Sequence, residues 1–414
     1  MSNNINRNHI IFLGLGLIVT FLASAIKSIY QVYFPDLAKN YNVNFSDISM
    51  VGAIFGLAVG ILSPITGSIC DKYGATKTIF SGIIVAIIAF LLISFSKSYF
   101  ILVLSYSILL AYSLTTMTFV PFGILVDSIF QEEQKGLMYT ILSNGTSIGF
   151  IVLSPLWIYI NKSITWFDLC FYLFFTYLIL LVPTGVILNK NYKITPSKFT
   201  SQSNTNISEI FKPKFLLLAL SFGGCGAAMA FIDVHLVSLL KNINIFQEQF
   251  LGSRERFIAL SLSTLGITEL IGAFLIVFIL RFLNPFILLA VLYGLRSIIF
   301  YGIKVSTSAW ISLILIASFG LTYMGTVIIS SLICLKWYGI EIKGKMFGVM
   351  FLFHQLFVFL SVWLGGMIFD KYASYDLYIY FLIGLSFLSS ISAIVLFFSS
   401  IKNLNMHKLN GRTQ

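Results

Sequence analysis

Gly67-Ser-Ile-Cys-Asp71-Lys72-Tyr-Gly74-Ala-Thr-Lys77 is a short charged turn between two apolar runs, and its position there decides how the chain is read. The run before it covers residues 47–69 and the run after it 78–95, and the second carries no charge at all. A hydrocarbon layer of ~30 Å needs about 20 apolar residues in a helix, so the turn joins two antiparallel membrane spans. The same ruler, moved outward in both directions, gives spans near 10–33, 99–126, 137–160, 169–188, 214–240, 255–280, 286–303, 310–333, 346–368 and 377–399. The expected fold is therefore an all-α membrane protein of twelve transmembrane helices.

Composition agrees. Of 414 residues 58% are hydrophobic and 10% charged, where a soluble domain carries roughly a quarter charged residues. The 41 Phe and 20 Tyr suit lipid-facing surfaces and interfacial belts. A net charge of +11 raises the question of nucleic acid, but the basic residues stand singly between apolar runs and form no patch. Cys70, Cys170, Cys225 and Cys334 lie far apart without metal-ligand or disulfide-framework spacing and read as small core residues. No metal or cofactor is expected. The first run is too long for a signal-peptide core and lacks a small-residue cleavage site, so it is the first span.

Most connections are short, and only residues 189–213 form a long polar linker. The expected organisation is an N-terminal six-helix bundle (1–188), this linker, and a C-terminal six-helix bundle with a short tail (214–414). Sixteen of the 26 Lys and Arg fall on the side that carries both termini and eight on the other, with Lys27 and Arg296 inside spans. The positive-inside rule puts both termini and the linker in the cytoplasm, the chain being multi-pass in the cytoplasmic (inner) membrane. The two sets of six also echo each other. At an offset of 208, Lys135-Gly136 falls on Lys343-Gly344 and Trp166-Phe167-Asp168 on Ser374-Tyr375-Asp376. Parallel repeats of this kind build six-plus-six transporters, with the substrate site between them near the midplane.

Charges inside spans cost at least ~2.5 kcal/mol each, so each needs a reason. Lys27 lies about six residues, ~9 Å, from the outer end of the first span, and is a candidate for attracting an anion. Glu269, near the middle of the eighth span, is a candidate for taking up and releasing protons or for pairing with a cation. Arg296, near the centre of the ninth, would suit a carboxylate if it faced inward; equally, it could serve Glu269 or backbone carbonyls. His354 beside Gln355, and His235 near Asp233, change charge near neutral pH unless perturbed. Asp233 and His354 join Glu269 as proton-coupling candidates, and Asp233 and His235 could equally serve a rim or gate. Tyr30 stands at the aromatic end of the first span. The hydroxyls of Tyr112, Thr115, Tyr323 and Thr326 could bond an anion or their own helices.

The opening turn resembles the signature of the major facilitator superfamily, Gly-x-x-x-Asp-Arg/Lys-x-Gly-x-x-Lys/Arg. Its counterpart in the second set, near Gly272 to Arg281, lacks the Asp. In the turn, Gly67 and Gly74 permit close helix approach and a tight turn, and Asp71 can sit against a helix N-terminus. Lys72 and Lys77 can pair with Asp127 or Glu132, contacts that hold one face shut and break when the two sets rock. A narrower resemblance, to the monocarboxylate-porter branch and its bacterial and oxalate–formate relatives, is carried by several motifs. These are Lys27-Ser28-Ile-Tyr30 with Phe34-Pro35, Gly145-x-x-x-Gly149 with Pro155, and Asp233-Val-His235. Tyr293-Gly-Leu-Arg296, His354-Gln355, Gly365-Gly366-x-x-Phe-Asp370 and Ser374-Tyr375-Asp376 complete the set. The Asp/Glu-Gly-x-x-x-Trp opening of animal carriers is absent, and Ala273 stands where their carboxylate-binding Arg would be.

The resemblance implies alternating-access transport of a small organic carboxylate, proton-coupled and monomeric. With Lys27, Tyr30, Tyr112, Arg296, Tyr323, His354 and Gln355 toward substrate, the partners are that anion, protons and the lipid bilayer, and nucleic acid is not one. The missing Arg leaves a polycarboxylate or carboxylate siderophore as an alternative. A transporter-like sensor would need a larger soluble segment than the linker or tail offers. No catalytic arrangement supports an enzyme.

Overall fold

The computed structural model describes residues 6–192, 207–242 and 253–410. Among these, twelve helices are long and apolar enough to cross a membrane. They are α1 Arg7–Tyr41, α2 Phe45–Tyr73, α3 Ala75–Phe95, α4 Tyr99–Ile129, α5 Glu132–Ile160, α6 Trp166–Asn191, α7 Pro213–Asn242, α8 Arg254–Ile279, α9 Pro285–Val305, α10 Ala309–Gly339, α11 Lys345–Tyr372 and α12 Asp376–Ser400. Each expected span falls on one of them, and the all-α fold stands. Most of the 189–213 linker lies outside the described residues. The loop positions that echo each other in sequence open α6 at Trp166 and α12 at Asp376, the sixth helix of each set.

The largest departure from the sequence reading is at α1. The apolar run stops near Tyr33, but the helix continues through Pro35 to Tyr41 and ends on Asn42 in the left-handed conformation (φ 53°). Buried partners outweigh the falling hydrophobicity. Tyr33 donates to the Ile164 carbonyl at 2.9 Å, and Trp166 Nε1 donates to the Tyr41 hydroxyl at 3.1 Å. Lys27 therefore lies about 14 residues, ~21 Å, from the end of its helix, and six from the end of the apolar run. Its charge is met inside the protein, by a carboxylate on another helix.

The charged turn after α2 is built as expected at one glycine only. Gly74 adopts φ 92°, which residues with a Cβ rarely accept. Gly67 permits no close approach here, since a Cβ there would come no nearer than 3.9 Å to Val120. Gly145 and Gly149, by contrast, bring α5 hard against α1. A Cβ on either would collide with Thr20 or with Ser24 and the Phe21 carbonyl, the small-residue packing that membrane helices use in place of a hydrophobic drive.

Contacts between α1–α6 and α7–α12 gather at the face away from the termini. There Lys162 pairs with Glu255 at 3.2 Å, Lys241 with Asp36 at 3.5 Å, and Gln31 donates to the Ile232 carbonyl at 2.9 Å. Asp370 on α11 accepts from the first amides of α2. The α2–α11 seam then runs inward through Gly56 against Val358 and Gly60 against Gln355. It stops there. One turn further along α2, Pro64 is exposed, and two turns back along α11 a Cβ on Gly348 would meet open space. Among the described residues the two sets are closed at the far face and parted at the face where α1 begins.

Candidate functional site

At the inner end of that closed region four side chains from four helices converge. Lys27 on α1 donates from Nζ to Asp233 Oδ2 on α7 at 2.8 Å. The Tyr323 hydroxyl on α10 donates to the other oxygen, Oδ1, at 2.6 Å. Glu269 on α8, half-buried and, among the described residues, without a hydrogen bond or ion pair of its own, lies within electrostatic range of both Lys27 and Asp233. Ile26 and Ser28 on either side of Lys27 are fully buried, yet the Lys27 side chain is 49% exposed and that of Asp233 23%. The ammonium thus opens into the space between the two sets of helices. One cation faces two carboxylates, and the Lys27–Asp233 bridge ties α1 to α7 across the divide.

Lys27, Asp233, Glu269 and Tyr323 were all singled out in the sequence, and the fold brings them together. Asp233 belongs to this interior cluster, not to a rim. The remaining candidates stand elsewhere. The Tyr30 hydroxyl donates to the Ile48 carbonyl and its ring stacks on Tyr106 at 4.3 Å, so it is a packing post between α1, α2 and α4. Tyr112 shares a hydrogen bond with Ser81 on α3 at 2.8 Å. Thr115 and Thr326 bond carbonyls of their own helices.

Arg296 is fully buried and does not reach Glu269. Its Nε donates to Thr322 Oγ1 and its Nη2 to the Thr322 carbonyl, both at 3.0 Å. It clamps α9 to α10 one residue from Tyr323. His354 is buried between Phe222 and Phe351, with neither ring nitrogen bonded. Gln355 packs on Gly60 at the seam. His235 is satisfied on both nitrogens, by the Tyr375 hydroxyl and the Val362 carbonyl at 3.0 Å each.

The gating expectation needs one correction. Lys72 and Lys77 do not take Asp127 or Glu132, because Lys135 takes both. Lys135 lies one turn after Glu132 on α5, and α5 starts beside the end of α4 that carries Asp127, so it is the nearer cation. Asp71, Lys72 and Lys77 are exposed on the parted face, with Lys72 over the Tyr73 ring. Sequence reasoning missed the polar links of the closed face. Gln31, Asp36, Lys162, Lys241 and Glu255 gave no signal beyond being polar near helix ends. Asp370 was quoted only as part of a motif. Among the described residues no group of three or more His, Cys, Asp or Glu is placed to hold a metal.

The profile of the Major Facilitator Superfamily matches residues 16–336. The chain belongs to that superfamily. It is 26% identical to the uncharacterized MFS-type transporter YcxA of Bacillus subtilis, across 93% of this chain and 94% of YcxA. An MFS-type transporter of Aspergillus fumigatus matches at 27% identity over 30% of this chain and 28% of its own. Among solved structures, a peptide transporter, POT, crystallised with alafosfalin superposes with a TM-score of 0.73 over 95% of this chain and 94% of its own, at 12% identity. That last likeness is one of fold. The chain is a multi-pass membrane transporter of the superfamily and not an enzyme.

Proposed function

We propose that this transporter moves a small organic carboxylate by alternating access, coupled to protons, with residues 1–188 and 214–414 as the two rocking bodies. The observation that supports it most is the Lys27–Asp233 bridge across the two sets of helices, with an unpaired Glu269 beside it. A substrate carboxylate entering from the parted face competes with Asp233 for Lys27, while Asp233 keeps its bond from Tyr323. The charge count then calls for a proton. One ammonium and two carboxylates sum to minus one, and an anionic substrate would make it minus two within one small cluster. A proton on Glu269 restores the balance, which links uptake of substrate to uptake of a proton. The resemblance to monocarboxylate porters supports the same reading, and the placement of Lys and Arg supports a cytoplasmic parted face in the inner membrane.

The same count argues against a polycarboxylate or siderophore, which would add still more negative charge. It favours, as a second reading, a solute that carries an amine as well as a carboxylate, because Glu269 would hold the amine. Purified protein in proteoliposomes, offered lactate, pyruvate, oxalate, citrate and a neutral amino acid with and without a pH gradient, tests both. Proton entry with lactate or pyruvate supports the carboxylate reading. A response to the amino acid alone supports the second. The Glu269→Gln variant should lose gradient-driven accumulation and keep substrate exchange. Full accumulation in that variant would remove Glu269 from the coupling.

A further inference from the structure

The segment Gly365-Gly366-Met-Ile-Phe369-Asp370 closes α11, and nothing in the central cluster uses it. Asp370 Oδ1 accepts from the Phe45 amide at 2.9 Å and Oδ2 from the Ser46 amide at 2.7 Å. Those amides open α2, more than 320 residues away and on the other set of helices. A carboxylate taking two first-turn amides also meets the positive end of the helix dipole. Two neighbours in the motif make this reach possible. A Cβ on Gly366 would collide with Ser49 and crowd Ser46, so only glycine lets α11 come this close. Phe369 packs on Phe45 at 4.6 Å and on Tyr375 at 4.8 Å, which fixes the end of α11 beside the start of α2.

We propose that Asp370 is a gating latch, a carboxylate on one rocking body that caps a helix of the other and so favours the state closed at this face. The bond does not hold α2 together. Asp47 already serves the start of α2 from within, accepting from the Asn44 amide at 3.0 Å. The helix therefore stays capped when Asp370 withdraws, and release returns only two amides and one carboxylate to water. A contact that costs no unfolding to break can act once in every cycle. The latch rests on the alternation proposed above and is independent of what the substrate is.

The test is a pair of spin labels in full-length protein in nanodiscs, with the four buried cysteines replaced. Labels at Ser98→Cys and Lys371→Cys, both exposed near this face, report its opening. A pair at Tyr73→Cys and Lys336→Cys reports the other face. In the parent protein the short distance at the latch face should dominate. Asp370→Asn keeps the shape and loses the charge, and should move the balance toward the long distance by about tenfold. Asp370→Ala should move it at least as far, while Asp370→Glu restores part of the short population. A melting profile like the parent's shows that each variant is folded. Unchanged distances in both Asp370→Asn and Asp370→Ala, in a parent that does show two states, overturn the latch. A parent that shows one state at both faces under every condition overturns alternation itself.

Discussion

Replacing Asp233 with asparagine removes one charge from the central bridge and little else. The amide oxygen of the new side chain would still accept the hydrogen bond from Tyr323, and its volume is nearly the same. What disappears is the attraction to Lys27 at 2.8 Å. Coulomb's law puts that attraction at about 1.5 kcal/mol in water and about 6 kcal/mol at an effective permittivity of ~20. Lys27 is 49% exposed and Asp233 23%, so solvent screens the pair and the low end applies, about 2 kcal/mol. The decisive design is a double-mutant cycle of Lys27→Met, Asp233→Asn and both together. Each single variant leaves one charge of the bridge without its partner, whereas the double removes both. The two single losses should therefore exceed the loss in the double, with a coupling of about 2 kcal/mol. Followed by tryptophan fluorescence during heating, that coupling is about 2–4 °C of melting temperature for a chain of this size. Losses that add within ~0.5 kcal/mol would mean that the bridge does not join α1 to α7 energetically. The competition between Asp233 and substrate for Lys27 would go with it.

Arg296→Met should lower stability by about 2 kcal/mol, the value of lost charge-assisted hydrogen bonds to α10, while the KM of any identified substrate stays within twofold or so of the parent's. A raised KM with unchanged melting would instead put the guanidinium on the substrate. Gly149→Ala should cost about 1–3 kcal/mol by overpacking, because its Cβ meets the Phe21 carbonyl, which is backbone and cannot turn aside. A parent-like melting temperature would refute that tight seam. Gly366→Ala should open the face away from the termini, and Ser49→Gly should partly restore closure in the same chain, since Ser49 is what the new methyl strikes. Label distances across that face check it, and no relief in the double variant would count against the collision.

What the sequence could reveal followed from cost. A charge inside a membrane helix is expensive wherever the helix packs, so Lys27, Glu269 and Arg296 stood out without any knowledge of contacts. Where each points is a matter of rotation about the helix axis, and there the sequence is silent. Arg296 sits on a face of α9 that meets α10, and Lys27 on a face of α1 that meets the opening, though their apolar flanks look alike. Span existence was legible because hydropathy over about 20 residues decides it. The end of α1 was not, because Tyr33 and Tyr41 are held by partners on α6 and the loop before it. The gating lysines misled for a related reason. Spacing marked Asp127 and Glu132 as acceptors, but Lys135, one turn from Glu132, was the cation closest in space.

The way the far face is closed bears on how the transporter can turn over. Its links are several and individually weak. Lys162–Glu255 and Lys241–Asp36 are solvent-exposed pairs, worth about 0.2–1 kcal/mol each, and Gln31 and Asp370 add hydrogen bonds of about 0.5–3 kcal/mol each. Together these polar links reach a few kcal/mol, and about 2.7 kcal/mol already sets a balance of ninety-nine to one. A single deeply buried bridge of greater strength would lock the face, because no small solute could supply enough binding energy to break it. Several modest links can be outweighed by the proposed binding of a substrate carboxylate to Lys27 and the polar bonds that would come with it. The opposite face holds the matching reserve. Asp71, Lys72 and Lys77 are exposed there and, among the described residues, make no ion pair across it. Breaking the far links can be offset by new ones of the same small size, which is the condition for rocking between two states of nearly equal free energy.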